Sequence, residues 1–307
     1  MQPRVLVITG PTASGKSDLA LGLAAARGGT VINADAMQTY DAFPHLTAQP
    51  TPAERARVPH GLYGVLPLSE PLSAARWRGL AEAAIDEAWA AGRRPILCGG
   101  SGLYLKTLMQ GIAAIPEVPT ALRDEANADW AAIGPERFRA RLAEQDPAIV
   151  ARLAPHDRQR HVRAWEVWRA TGRPLSTWQQ DPGTPPPWRF AVILLAPERA
   201  WLRSRIEHRF DAMLQAGVVE EVRAVLAGAP DPRWPGLKAH GAPELVRYLR
   251  CELSLPAARQ IAIDHTRQYA KRQMTWFRHQ LTPDLVLDPL ENDALGRVEK
   301  FLTNLEG

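Results

Sequence analysis

Apolar residues fall into two rhythms along this chain. Short β-branched runs that end in glycine or a carboxylate alternate with longer stretches whose apolar residues recur every three or four positions. RVLVITG (4–10), TVINAD (30–35), RRPILCGG (93–100), RFAVILLAP (189–197) and DLVLD (284–288) are too short and too continuously apolar for amphipathic helices and read as strands. SDLALGLAAARG (17–28) has helical spacing and a glycine stop; the Ala-rich stretch 72–91 and SGLYLKTL (101–108) are also helical. Strands alternating with helices predict an α/β fold, a parallel sheet with helices on both faces.

From about Val118 to Gln180 the strand rhythm lapses, and 120–131, 136–145 and 158–171 all read as helices. A helical block bracketed by strands of one sheet is most simply an insertion. The expected organisation is a core in two parts, 1–117 and 183–307, around a helical insertion domain at 118–182. TWQQDPGTPPPW (177–188) serves as its return linker. Two long helices follow, 198–227 with an interruption at Gly217, and 257–280.

Composition narrows the class. The chain has 307 residues, 46% apolar and 23% charged, which allows an ordinary core and excludes a disordered or fibrous protein. No apolar run approaches the roughly 18–20 residues of a membrane span, and MQPRVLVITGPT lacks a cleavage site, so a soluble cytoplasmic protein is expected, with no membrane partner. Cys98 and Cys251 are too few for a disulfide framework or a cysteine-built zinc site and are expected to be buried small hydrophobes. The net charge of +4 says little, but its distribution says more. Arginines 152, 158, 160, 163, 169 and 173 face only Asp157 and Glu166, and Arg259, Arg267, Lys271, Arg272 and Arg278 face only Asp264. Either segment alone fits a solvated helix face. Together with a phosphate loop they point to a polyanionic partner.

That loop is Gly10-Pro11-Thr12-Ala13-Ser14-Gly15-Lys16-Ser17, which fits G-x-x-x-x-G-K-[ST] between a strand and a helix. Its glycines let backbone N–H groups converge on phosphate oxygens, the helix N-terminus adds positive potential, Lys16 neutralises the phosphate and Ser17 can ligate Mg2+. The fold class thereby sharpens to a P-loop NTPase-like sheet. The loop does not say which bond breaks: phosphoryl transfer by a kinase, hydrolysis by an NTPase, and departure of diphosphate from a transferred carbon skeleton all remain open. Asp35, closing the strand TVINAD, is either metal-associated or catalytic. Gln38, three residues on, offers a paired donor and acceptor to a base edge.

Seven separated blocks carry a resemblance: GPTASGKS (10–17), DAMQTY (35–40), GGSGLYLKTL (99–108), DRQRHVRAWEV (157–167), RIEHRFDAMLQAGVVEEV (205–222), LKAHGAPEL (237–245) and AKRQMTWFR (270–278). In this order they resemble the tRNA isopentenyltransferase family, the tRNA dimethylallyltransferases, over roughly Arg4 to Arg278. The resemblance implies transfer of a dimethylallyl group from dimethylallyl diphosphate to the N6 amine of the adenosine 3′ of the anticodon in tRNA. It implies that residues 10–17 cradle a diphosphate instead of ATP, that Asp35 is the general base, and that Ser17 and Arg209 assist at the diphosphate with Mg2+ as cofactor. Asp35, Ala36, Met37 and Gln38 would meet the RNA, as would Ser101, Arg123 and the element Gln159, Arg160, His161, Val162 and Arg163. The tRNA anticodon stem-loop is then the partner of a monomer.

Three positions depart from the family's usual pattern: Ala36 stands for Ser, Ser101 for Thr, and His240 for an aliphatic residue. Trp165, Trp168 and Trp276 are expected to pack helices together more than to stack on bases. The competing readings are an RNA-stimulated P-loop NTPase, a prenyltransferase acting on free adenine nucleotides and a small-molecule kinase. The last two leave an arginine-rich helical segment without a use.

Overall fold

A computed structural model of the chain describes residues 4–181, 183–291 and 293–306. Its elements begin with β1 (Arg4–Thr9), α1 (Lys16–Arg27), β2 (Gly29–Asn33), a 3-10 turn (Met37–Thr39), α2 (Pro52–Arg57) and β3 (His60–Gly61). Then come α3 (Ala74–Ala90), β4 (Arg94–Gly99), α4 (Gly102–Gln110), α5 (Thr120–Ala143), α6 (Pro147–Arg152), α7 (Arg158–Thr171) and α8 (Leu175–Trp178). The chain continues through β5 (Arg189–Leu195), α9 (Arg199–Gln215), α10 (Val218–Ala227), a 3-10 turn (Pro235–Lys238), α11 (Ala242–Leu249), α12 (Leu255–Gln280), β6 (Leu285–Leu287) and α13 (Ala294–Glu306).

All six strands pair in parallel in the order β3-β2-β4-β1-β5-β6. Chain order reverses at β1, with β4 and β2 on one side and β5 and β6 on the other, so the carboxyl end of β1 is the crevice where ligands of such sheets bind. Alternation along β1 sorts its side chains onto two cores. Leu6 and Ile8 pack with Leu19 and Leu23 of α1 and Val298 and Leu302 of α13; Val5 and Val7 pack with Trp77 and Ile85 of α3 and Leu105 of α4. Trp77 does more than fill space. It stacks on Tyr104 with centroids 4.8 Å apart, and its indole N–H donates to the Asn33 carbonyl at 3.2 Å, bracing the end of β2. A third core joins α9, α10, α11 and α12 to Tyr40, Phe43 and Leu46.

The chain separates into two compact units. One runs to Met109 and resumes at Pro187; the other is Gln110–Pro186. The boundary expected at residue 182 lies outside the described residues. The second unit packs α5–α8 around Phe138, Leu142, Val162 and Trp165. Buried Asp146 caps α6 by accepting from Ile149 N at 3.0 Å, and its other oxygen accepts from Ser176 N at 2.9 Å, tying α6 to α8. The helices expected at 120–131 and 136–145 are the two halves of α5, separated by non-helical Gly134 ahead of Pro135. Short α6 and α8 carry too few turns for a periodic signal, which is why they were not expected. No helix among the described residues is long and apolar enough to cross a membrane. Cys98 is buried as expected, but Cys251 is exposed: it follows α11 at φ 60°, in a surface turn and not in the core.

Candidate functional site

The phosphate loop leaves β1 at its carboxyl end and enters α1 through Gly15, whose φ of 84° a side chain would disfavour. Two partners from distant sequence hold it. The Gln273 carboxamide, on α12, accepts from Thr12 N at 2.9 Å and donates to the Gly100 carbonyl at 2.9 Å, so one buried side chain clasps the phosphate loop to the glycine turn after β4. A Cβ on Gly100 would lie 2.3 Å from that amide nitrogen, and only glycine leaves room for the clasp. Arg209, on α9, donates to Thr12 Oγ1 at 2.6 Å.

Charge in this loop is under-compensated. Lys16 donates to the Pro11 carbonyl at 3.3 Å, and burial pushes its ammonium below the usual lysine range, with the Cys98 thiol and then Asp35 opposing. Burial likewise lowers Arg209 to about 10, with Asp35 opposing. The Ser14 hydroxyl is buried and has no hydrogen-bond partner among the described residues. Two desolvated cations and an orphaned hydroxyl on a loop of converging amides are what a bound anion would satisfy. Cys98, beneath the loop, has its thiol pushed up to about 11, chiefly by burial, and is inert at neutral pH.

Asp35 sits just beyond β2 in a loop built by Asn33. Fully buried Asn33 accepts from Asp35 N at 2.7 Å and donates to the Asp35 carbonyl, Thr39 Oγ1 and the Leu62 carbonyl at 2.9–3.1 Å. Asp35 Oδ1 accepts from Met37 N at 3.0 Å, starting the following 3-10 turn, and Oδ2 takes no hydrogen bond from the described residues. Ser101 Oγ accepts from Ala36 N at 3.0 Å, bringing the glycine turn against the same loop. Gln38 is half committed: both protons of its amide go to the Thr47 and Ala48 carbonyls, at 2.8 and 2.9 Å, so its oxygen alone remains to meet a base edge. The paired donor and acceptor expected of it is not on offer.

Asp35, Thr12, Met37 and Arg209 line one cleft, about 590 Å³ with its open mouth, whose remaining wall includes Leu46, Phe210 and Met213. Its lining combines charged with hydrocarbon side chains. Tyr269 and His240 also line it, their rings 4.3 Å apart. Burial raises the Tyr269 phenol, assisted by Asp35, while burial lowers His240 with Asp35 opposing. Tyr269 lies outside the seven blocks, and Gln273, inside AKRQMTWFR (270–278), was given no role by them. The signal for Gln273 was present all the same: Thr266, Ala270, Gln273 and Phe277 form one buried stripe of α12, where a glutamine is out of place unless both ends of its amide are bonded.

The two basic segments are unlike. On α12, Arg259 pairs with both Asp211 oxygens, at 2.5 and 2.7 Å, and with Glu207, while Arg267 pairs with Glu207 and Asp264. Those arginines brace α9 against α12. Lys271, Arg272 and Arg278 are exposed. In the helical unit, Gln159 and Arg160 are exposed near the start of α7, Arg160 at 72% with Asp157 as its ion-pair partner. Arg163 and Arg123 both reach the buried Glu166 carboxylate, at 2.6 and 3.4 Å, and present their remaining N–H groups from a fixed point. His161 and Val162 are buried in that unit's own core, so their side chains brace α7. Trp165 packs there against Phe138 and Trp168, and Trp276 packs on Gly102.

Among the described residues no group of three or more His, Cys, Asp or Glu could cage a metal. A hard cation here would take the hydroxyl of Ser17, an exposed residue in the first turn of α1 whose side chain also bonds the Cys98 thiol, with the rest of its shell from a bound diphosphate and water, the manner in which Mg2+ is usually held.

Comparison with known proteins gives one answer. The model of the family "IPP transferase" matches residues 38–280, and that of "Isopentenyl transferase" matches residues 3–59. The tRNA dimethylallyltransferase of Granulibacter bethesdensis is 52% identical over 280 residues, covering 91% of this chain and 88% of the relative. That of Rhodospirillum centenum is 52% identical over 299 residues, covering 97% and 95%. Among solved structures, a tRNA isopentenylpyrophosphate transferase from Staphylococcus epidermidis is 29% identical with a TM-score of 0.70, covering 99% of each chain. A eukaryotic dimethylallyltransferase acting on tRNA is 25% identical with a TM-score of 0.83, covering 98% of this chain and 80% of that one.

Proposed function

The chain belongs to the IPP transferase family, and from that premise we infer that it transfers a dimethylallyl group from dimethylallyl diphosphate to the N6 amine of the adenosine 3′ of the anticodon in tRNA, releasing diphosphate. One observation carries the chemistry: a carboxylate with a free oxygen, Asp35, lines the same cleft as the diphosphate-seeking Thr12 and Arg209 and the apolar Leu46, Phe210 and Met213.

An exocyclic adenine amine is a poor nucleophile because its lone pair is delocalised into the ring. Asp35 Oδ2 takes its proton as the N6–C1 bond forms, an effect of about 10²–10⁴-fold. The C1–O bond breaks with its electron pair going to the diphosphate, and the loop amides, Lys16 and Arg209 meet the charge where it develops. Ser17 would hold Mg2+, which when bound neutralises the departing diphosphate. The stacked adenine has to be extruded to reach Asp35, at a cost of a few kcal/mol. On this reading Gln159, Arg160, Arg163 and Arg123 in the helical unit hold the anticodon stem-loop, Ser101 and residues 35–38 meet the extruded nucleotide, and the protein works as a cytoplasmic monomer.

The test is incubation with dimethylallyl diphosphate and unmodified tRNA, followed by mass measurement of the anticodon-loop fragment. A five-carbon gain is expected. Asp35→Ala should abolish it and leave tRNA binding largely intact; equal loss of both would reassign Asp35 to structure. ATP or GTP turnover stimulated by RNA without prenylation would favour the NTPase reading instead.

A further inference from the structure

The prenyl group's length has a physical gauge in this cleft, an inference that rests on the dimethylallyl reading above. Ile206, Arg209, Phe210 and Met213 share one face of α9 and all line the cleft. Arg209 is fixed to Thr12 Oγ1, which sets where the diphosphate end lies. From Arg209 to Met213 the helix rises about 6 Å, one turn. A four-carbon chain with one methyl branch is roughly 4–5 Å long at about 1.5 Å per bond. Met213 stands one turn beyond Arg209 on the same face, so a tail leaving a diphosphate held at Thr12 and Arg209 and running along Phe210 meets Met213.

Met213 is packed in the core on its far side. It is 8% exposed and belongs to the apolar core that includes Val218, Val222 and Leu245. The side wall is equally firm: a Cβ on Gly241 would lie 2.9 Å from the Phe210 ring and 3.0 Å from Leu46, so the backbone of the α11 entry already touches both and leaves them no room to retreat. A close-packed wall responds to one extra methylene as an overpacked core does.

We propose that Met213 is the floor of the donor pocket and the residue that restricts this enzyme to five-carbon allylic diphosphates, excluding ten-carbon ones. The experiment compares wild type, Met213→Ala, Met213→Leu and Met213→Phe with dimethylallyl and geranyl diphosphate, reading kcat/KM, RNA product mass and the inhibition constant of inorganic diphosphate. Wild type and Met213→Leu should prenylate RNA with the five-carbon donor only. Met213→Ala should raise the geranyl-to-dimethylallyl ratio of kcat/KM by tenfold or more, on the order of what one methylene is worth in an apolar pocket. Met213→Phe, which fills the floor and decides the matter if the alanine variant unfolds, should raise KM for the five-carbon donor about tenfold and leave inhibition by inorganic diphosphate unchanged. Efficient geranyl transfer by wild type would overturn the proposal, and so would an active Met213→Ala with an unmoved ratio or a Met213→Phe with wild-type KM. A wild-type protein inert toward both donors would sink the dimethylallyl reading and this one with it.

Discussion

Replacing Gln273 with leucine, an apolar side chain of similar size, tests whether a residue near the end of the long helix α12 positions the phosphate loop at the start of the chain. Gln273 is 5% exposed and bonds at both ends of its amide, to Thr12 N and to the Gly100 carbonyl. The two losses are unequal. The Gly100 carbonyl keeps the Gly102 N–H at 3.1 Å, whereas the Thr12 amide has no other acceptor among the described residues. The Thr12 amide is part-buried beside the open cleft, where water can meet it, so the expected loss of folding stability is the low end of the about 1–3 kcal/mol that an unsatisfied buried donor costs. Denaturant unfolding should show it as a lower midpoint at unchanged slope. Thr12 also carries the contact to Arg209, so a loop released from Gln273 binds diphosphate less well, and KM for dimethylallyl diphosphate should rise about tenfold, the equivalent of about 1.4 kcal/mol. Affinity for tRNA should hardly change. Gln273→Glu separates the two effects: it keeps an acceptor for Thr12 but adds negative charge beside the donor's own, and should harm donor binding more than stability. Wild-type midpoint and wild-type KM in Gln273→Leu would refute the clasp.

Arg160→Ala should weaken tRNA binding and lower the slope of log affinity against log salt by roughly one, measured by titration from about 50 to 200 mM salt, while donor KM stays put. Arg259→Ala should do the reverse, leaving the salt slope untouched and destabilising the fold by no more than about 1 kcal/mol because its carboxylate partners are substantially exposed. Burial lowers His240 below its usual 6.5, so the unfolded chain takes up that proton first as pH falls. Stability is therefore lost from pH 6.5 down to the lowered folded value, by at most about 1.4 kcal/mol per pH unit, and thermal melts of His240→Leu should show a shallower acid slope than wild type. His60 is lowered by burial too and contributes to the slope that remains. Iodoacetamide at pH 8 should add a single carbamidomethyl group to the native protein, on exposed Cys251, since burial and a thiol raised to about 11 protect Cys98; two adducts in the intact mass would contradict that account.

What could be seen in the sequence was whatever repeats locally or sits in a contiguous motif. The strands at 4–9, 29–33, 94–99 and 189–195 announce themselves because both faces of a parallel sheet are covered, which makes each strand a continuous apolar run. The phosphate loop and Asp35 were visible because glycine, lysine and a strand-end carboxylate have few other reasons to fall in those places. Pairing across the fold was not visible. Counting charges gave two equivalent basic segments, yet Arg259 and Arg267 spend their charge on Glu207 and Asp211, some fifty residues earlier, while exposed Arg160 has one ion-pair partner among the described residues, Asp157, three residues away. An arginine's availability to RNA is set by which carboxylates the fold brings to it, and no window of sequence contains that information. The same holds for the cleft's floor. Ile206, Phe210 and Met213 are ordinary apolar positions of an amphipathic helix until Arg209, on the same face, is seen to grip Thr12 from 197 residues away. That one hydrogen bond turns a stripe of core residues into a pocket with a charged anchor and a measurable depth, and so turns a packing position into one that can set substrate length.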